Sequence, residues 1–225
     1  ITSNFSFLRG ASHPHEYVER AKMLGLKAIA LTDRNTLSGV VRAHVAAKEL
    51  DLRFIVGCCL DLGDAPSLLC FPKDRAAYGR LSELLTLGQR RAGKGACHLS
   101  LNDVARHAEG QIFVILPSST FPNERFKADV ERIATQLESD LYLAANMTYQ
   151  GEDKERLQAL AAIGLPLVAS NDVHYHIRER RALQDIVTSV REGCTIAEAN
   201  ALLAQNAERH LKSGAEIARL FKGHE

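Results

Sequence analysis

The sequence predicts an α/β fold whose parallel sheet closes into a barrel. Three observations predict it. Short apolar runs alternate with stretches of helical period from end to end. The intervening loops are short, with no linker or low-complexity segment. The length of 225 residues suits one barrel better than two small domains.

The elements follow in order. Pro14 suits the first turn of a helix, where its missing N–H costs nothing; Val18, Ala21 and Leu24 mark the apolar stripe, and Gly25 ends it. Residues 27–31 (Lys-Ala-Ile-Ala-Leu) form a strand that turns through 32–35. Leu37, Val40, Val41, His44 and Ala47 then recur at helical spacing. A third strand starts at Arg53 and runs through Gly57 toward Leu62. The turn at 63–66 sends the chain into 67–71, which fits a hairpin as well as a crossover. A helix over 74–87 carries Tyr78, Leu81, Leu84 and Leu85 inward. Residues 88–95 read as a glycine-rich basic loop whose Arg90, Arg91 and Lys94 face water or touch phosphate, the solvated loop being the commoner case; it lacks the Lys-Ser/Thr of a phosphate-binding P-loop. Helix 101–108, strand 112–116, helix 123–137, strand 141–145 and helix 152–163 continue the alternation. Residues 178–225 read as mainly helical, with starts signalled by Thr195…Glu198 and Ser213…Glu216.

Composition narrows the function. The formal net charge of +1 gives no bulk attraction to nucleic acid or membrane, and no apolar run is long enough to span a bilayer. The cysteines Cys58, Cys59, Cys70, Cys97 and Cys194 are odd in number and contain no C-x-x-C, which fits a reduced, cytoplasmic chain. The absence of Trp argues against a base-stacking platform.

The richest chemistry follows Leu165-Pro166. Leu167, Val168 and Ala169 suit a buried strand, and it runs into Asn171, Asp172 and His174. A carboxylate and an imidazole two residues apart share one side of an extended backbone and can present two ligands to one ion. The same pair also reads as a turn cap and a local hydrogen bond. In a barrel the chemistry sits at the C-terminal strand ends. Those ends are Thr2, Asp33-Arg34, Cys58-Cys59, Ser118-Ser119, Asn146 and Asp172 with His174. A hydrolytic metal site needs His, Asp and Glu at most of them. Arg34 repels cations, and Asp33 can pair with it or cap a helix. His13 and His15 flank a proline at a helix start and read as a surface pair; His44 reads as a helix flank and His224 as part of a frayed end.

Several stretches resemble the N-terminal PHP (polymerase and histidinol phosphatase) domain of bacterial C-family DNA polymerases. They are Thr2-Ser-Asn-Phe-Ser-Phe-Leu-Arg-Gly-Ala-Ser12, Ala28-Ile-Ala-Leu-Thr-Asp33, Ile55-Val-Gly57, Ala77-Tyr-Gly-Arg-Leu81 and Pro166-Leu-Val-Ala-Ser-Asn-Asp-Val-His-Tyr175. Asn4 to Ser12, Gly39-Val-Val-Arg-Ala-His44 and Asn206-Ala-Glu-Arg-His-Leu-Lys-Ser213 are similar to the error-prone, damage-inducible translesion branch rather than the replicative alpha subunit. The resemblance covers essentially all of residues 1–225.

It implies a distorted TIM-like (β/α)7 barrel with up to three metals at the strand ends in active members. By the same resemblance, the second His of an H-x-H falls on Thr2, and its first falls before Ile1. The Asp of a D-G falls on Arg9, the His of T-D-H on Arg34, the Glu of G-x-E on Cys59, and a later His on Ser67. Asp172 and His174 alone keep ligand chemistry, as a vestige. The expectation is one PHP domain belonging to a much longer DNA-directed DNA polymerase, with no catalytic residue of its own and no cofactor. The alternative is a residual phosphoesterase or 3′–5′ exonuclease holding one divalent Zn or Mn. Mg would serve the polymerase part. Expected partners are the rest of the polymerase chain, DNA through the full-length enzyme, translesion accessory proteins and a sliding clamp, with no membrane.

Overall fold

The computed structural model describes residues 1–117 and 122–223, so Ser118, Ser119 and His224 lie outside the described residues. In chain order the elements are α1 (Pro14–Met23), β1 (Ala28–Leu31), α2 (Val40–Glu49), β2 (Arg53–Val56), β3 (Cys58–Leu60), β4 (Leu68–Pro72), α3 (Arg75–Arg91), α4 (Leu101–Arg106), β5 (Gln111–Ile115), α5 (Glu124–Gln136), β6 (Asp140–Asn146), α6 (Asp153–Ala161), β7 (Leu167–Ser170), α7 (Arg181–Glu192), α8 (Ile196–Ala199) and α9 (Gly214–Leu220). The class is α/β, as the alternation predicts. The chain divides into two compact units, one of Ile1–Val56 with Asn171–Glu225 and one of Gly57–Ser170.

In the first unit β1 and β2 pair in parallel, Ala28 opposite Arg53 and Leu31 opposite Val56. The core joins Tyr17, Val18 and Ala21 of α1, Ile29 and Leu31 of β1, and Ala43, Ala46 and Ala47 of α2 with Leu52, Val173 and Leu211. Small alanines on α2 let it lie close to its neighbours. Residues 1–3 bond like a strand without forming one: Thr32 N–H donates to Ile1 O at 2.8 Å and Thr2 N–H to Val173 O at 2.9 Å. The capping signals at the C-terminal end hold. Thr195 and Glu198 form a capping box at α8, and the Ser213 hydroxyl accepts from Glu216 N–H at α9. Helices account for most of the described residues from 178 on, as α7, α8, α9 and two short 3-10 turns. Residues 203–213 contain no α-helix, and His210 bridges to Tyr175 in parallel.

In the second unit the strand order is β3-β4-β5-β6-β7. The expected parallel sheet is mixed: β3–β4 and β4–β5 are antiparallel, β5–β6 and β6–β7 parallel. The turn at 63–66 therefore makes a hairpin, and the strand expected from Arg53 to Leu62 divides at Gly57 into β2 and β3. β7 was expected to be buried, yet Val168 and Ala169 are exposed; β7 is the last strand in the order.

The expected basic loop is also corrected. α3 continues through Gly88 to Arg91. A Cβ on Gly88 would stand 2.6 Å from Cys97 Sγ and 2.7 Å from Leu99 Cδ2, so this glycine serves close packing and not a turn. Arg91 pairs with the buried Asp103 carboxylate at 2.6 Å; Arg90 and Lys94 are exposed.

Candidate functional site

The site builds up in the first unit from the loop before α1. Asp33, just past β1, is buried and accepts three hydrogen bonds of 2.7 Å, from Ser3 N–H, Ser3 Oγ–H and Ser6 Oγ–H. Its carboxylate is thereby used to fold the loop back. Ser6 Oγ also accepts from Arg34 N–H at 2.9 Å, and Ser6 O accepts from Arg9 N–H at 2.9 Å. Gly10 closes this turn: a Cβ there would fall 2.2 Å from Ser3 O. The positions Thr2, Arg9 and Arg34 are thus held by one hydrogen-bonded loop.

A second segment completes the site. Thr2 N–H bonds to Val173 O, and Ala11 N–H to His174 O at 2.8 Å. Asp172 has φ +42, so the backbone is not extended there, as the two-residue spacing assumed. The carboxylate and imidazole still meet, with Asp172 Oδ1 3.3 Å from His174 Nε2. Asn171 Nδ2 donates to Glu208 O and His210 O, and His174 N–H to Arg209 O at 2.9 Å. These bonds fix residues 208–210 alongside, and the Arg209 guanidinium pairs with Asp172 Oδ2.

The electrostatics are cationic. His174 is 8% exposed, and its Nδ1 has no hydrogen-bond partner among the described residues. Burial, then the charges of Arg34, the Ile1 ammonium, Arg9 and Arg191, push its pKa down to about 3, so the imidazole is neutral at pH 7. Burial and the Arg34 charge lower Arg209 to about 10, which leaves it charged. Arg191 is anchored by Nη1 donating to Leu8 O at 3.1 Å.

Cys59 lies in the second unit, buried in β3 opposite Leu69. Ser67, also there, donates from Oγ to Asp61 Oδ1 at 2.8 Å. Asn146 ends β6 and accepts from Arg156 through both its backbone and side-chain oxygens. His13 and His15 are exposed and stacked, centroids 5.5 Å apart, as a surface pair.

Sequence reasoning missed two features. One is Arg209 on Asp172; its signal is the charge that Arg209 carries within the stretch 206–213. The other is the group Glu208, His210 and Glu216, whose ligand atoms lie within 4.8 Å of one another. Cations already occupy it: Lys212 Nζ is 3.0 Å from Glu208 Oε2, Arg178 pairs with Glu208 Oε1, and Arg178 Nε donates to His210 Nε2 at 2.9 Å. It is an ion-pair cluster around a Lys212 side chain that is 0% exposed.

Comparison with known proteins gives a consistent likeness. The family model described as the PHP domain matches residues 1–222. An error-prone DNA polymerase of Caulobacter vibrioides is 51% identical over 98% of this chain. Error-prone DNA polymerases of Rhodopseudomonas palustris and Brucella abortus are 44% and 46% identical over 99% of it. The chain spans 21% of the length of each of these relatives. Among solved structures, one described as a metal-dependent phosphoesterase from Bifidobacterium adolescentis has a TM-score of 0.56 at 16% identity, covering 77% of this chain and 85% of its own. An amidohydrolase from Chromobacterium violaceum with bound sulfate and no metal has a TM-score of 0.55 at 15% identity, with the same coverage. At these identities the likeness concerns the fold alone.

Proposed function

The chain belongs to the PHP domain family, and from that premise we propose that it is the PHP domain of an error-prone DNA polymerase acting in DNA damage-induced translesion synthesis. The polymerase reading is carried by the likeness to error-prone polymerases along nearly the whole chain. In this reading the nucleotidyl transfer, with its Mg, belongs to the part of the polypeptide that the relatives carry beyond this fifth. The parent enzyme works in the cytoplasm with DNA, a sliding clamp and translesion accessory proteins. Among the described residues no helix is long and apolar enough to cross a membrane.

The domain itself, in our reading, holds no metal and hydrolyses no phosphoester. The observation that carries this is the Arg209 guanidinium on Asp172. The family's metal cluster needs several anionic or neutral ligands, and three of the corresponding positions are Thr2, Arg9 and Arg34. Asp33 already accepts three hydrogen bonds. Asp172 faces a cation, and three arginine charges bear on His174. A divalent ion placed there would meet like charge and too few donors. The residues therefore do not fit the metal group, and Asp172 and His174 act as structural anchors.

The full-length enzyme tests this. It should extend primers past damaged templates while releasing no nucleotide from a single-stranded 3′ end in Zn or Mn. Metal-dependent release that Asp172→Ala abolishes would establish a residual phosphoesterase or exonuclease instead.

A further inference from the structure

α7 is turned the wrong way round for a helix facing water. Its apolar stripe, Leu183, Ile186 and Val190 at helical spacing, is exposed by 39%, 47% and 59%. Its polar side is inward: Gln184, Thr188 and Ser189 are buried, and Gln184 Oε1 has no hydrogen-bond partner among the described residues. Burying amides and hydroxyls while exposing three aliphatic side chains is unfavourable at a water boundary.

The apolar surface extends beyond α7. Ile196 opens α8 and Leu202 follows it, exposed by 52% and 57%. A concave volume of about 530 Å³ adjoins them, lined by Arg181, Ile196, Ala197, Ala201, Leu203 and Ala204 among others. At the other end of α7, Arg191 is hydrogen-bonded to Leu8 O, beside Phe7, which is 83% exposed. An apolar helical stripe of this kind marks a contact surface; α2 exposes the smaller pair Val41 and Val45. The α7 stripe carries no row of cations, which a phosphate backbone would require.

We propose that the α7–α8 face is a docking surface for another part of the same polypeptide, the polymerase portion that the relatives carry outside this domain. The inference rests on the polymerase reading above. The relatives hold about four-fifths of their length beyond the matched region. A tethered segment reaches a high effective concentration, so a face of modest area suffices. The occupant presents aliphatic or aromatic side chains to Leu183, Ile186 and Val190, and an apolar projection to the adjoining groove.

A photo-crosslinking residue at Ile186 of the full-length enzyme tests the assignment, with Val41 as the control position. The expected product has monomer mass and joins α7 to a peptide outside residues 1–225; Val41 gives none. In the same chain, Ile186→Lys with Val190→Lys lowers the Tm by several degrees, whereas Val41→Lys leaves it unchanged. Crosslinked dimers would assign the face to a second copy and overturn the proposal. Absence of any crosslink, with an unchanged Tm for the double variant, would mean that the face is solvated and would also overturn it. Primer extension on the same preparation separates the two failures. An active polymerase with no internal crosslink refutes the docking surface alone, whereas no primer extension refutes the polymerase reading.

Discussion

Asp172 and Arg209 are joined as an ion pair across 37 positions of sequence. Both side chains are about two-fifths exposed, so solvent screening discounts the pair heavily. The pair is expected to contribute about 0.5–1 kcal/mol. Arg209→Met and Asp172→Asn should each lower the Tm by roughly 1–4 °C, at about 2–4 °C per kcal/mol for a domain of this size. A double-mutant cycle should give a coupling of that same order; additive losses would mean that the pair is a bystander.

Chelation should leave stability untouched. The purified protein is expected to contain substoichiometric zinc, manganese and iron by elemental analysis, and its melting curve should be the same with and without EDTA. A drop of several degrees would contradict a structure held by arginines, because a bound ion stabilises by mass action.

Acidification should weaken the fold in two separable windows. His174 has a folded pKa of about 3, below the ordinary value of about 6.5, so the unfolded state takes the proton first. Its contribution is intact above about pH 6.5 and is lost progressively as pH falls toward 3. For Asp103, burial raises the pKa, but the hydrogen bonds from Arg91 and Ser100 outweigh it and the net shift is downward. That stability is present above the ordinary carboxylate value of about 3.9 and is lost as pH falls through the lowered one. Denaturant titrations of His174→Gln should lose the slope between about pH 6.5 and 4 only. The His174 ring resonances should stay flat over that range by NMR.

Two glycines of α3 should respond oppositely to alanine. Gly79 has nothing within 4 Å of an added Cβ, so Gly79→Ala should stabilise by about 0.5–1 kcal/mol through helix propensity. Gly88→Ala places the same methyl against Cys97 and Leu99, and overpacking should cost about 1–3 kcal/mol despite the propensity gain. Equal responses in thermal melts would contradict the close packing of 97–99 on α3.

Much of this protein was decided locally, and those parts were legible in the sequence. The α/β alternation, the caps at Thr195 and Ser213 and the surface pair His13/His15 follow from periodicity and short-range hydrogen bonding, which act within a few residues. The family likeness was carried by contiguous motifs. What only the tertiary structure decided were contacts between distant segments. Gly88 reads as a loop residue until the packed neighbours at 97–99 explain it. The mixed sheet depends on which strands pair, and short strands leave pairing open. Asp172 and His174 could be read as two ligands waiting for others. Only the tertiary structure pairs Arg209 with Asp172 and lets the charges of Arg34, Arg9 and Arg191 bear on His174, because charge acts through space, not along the chain.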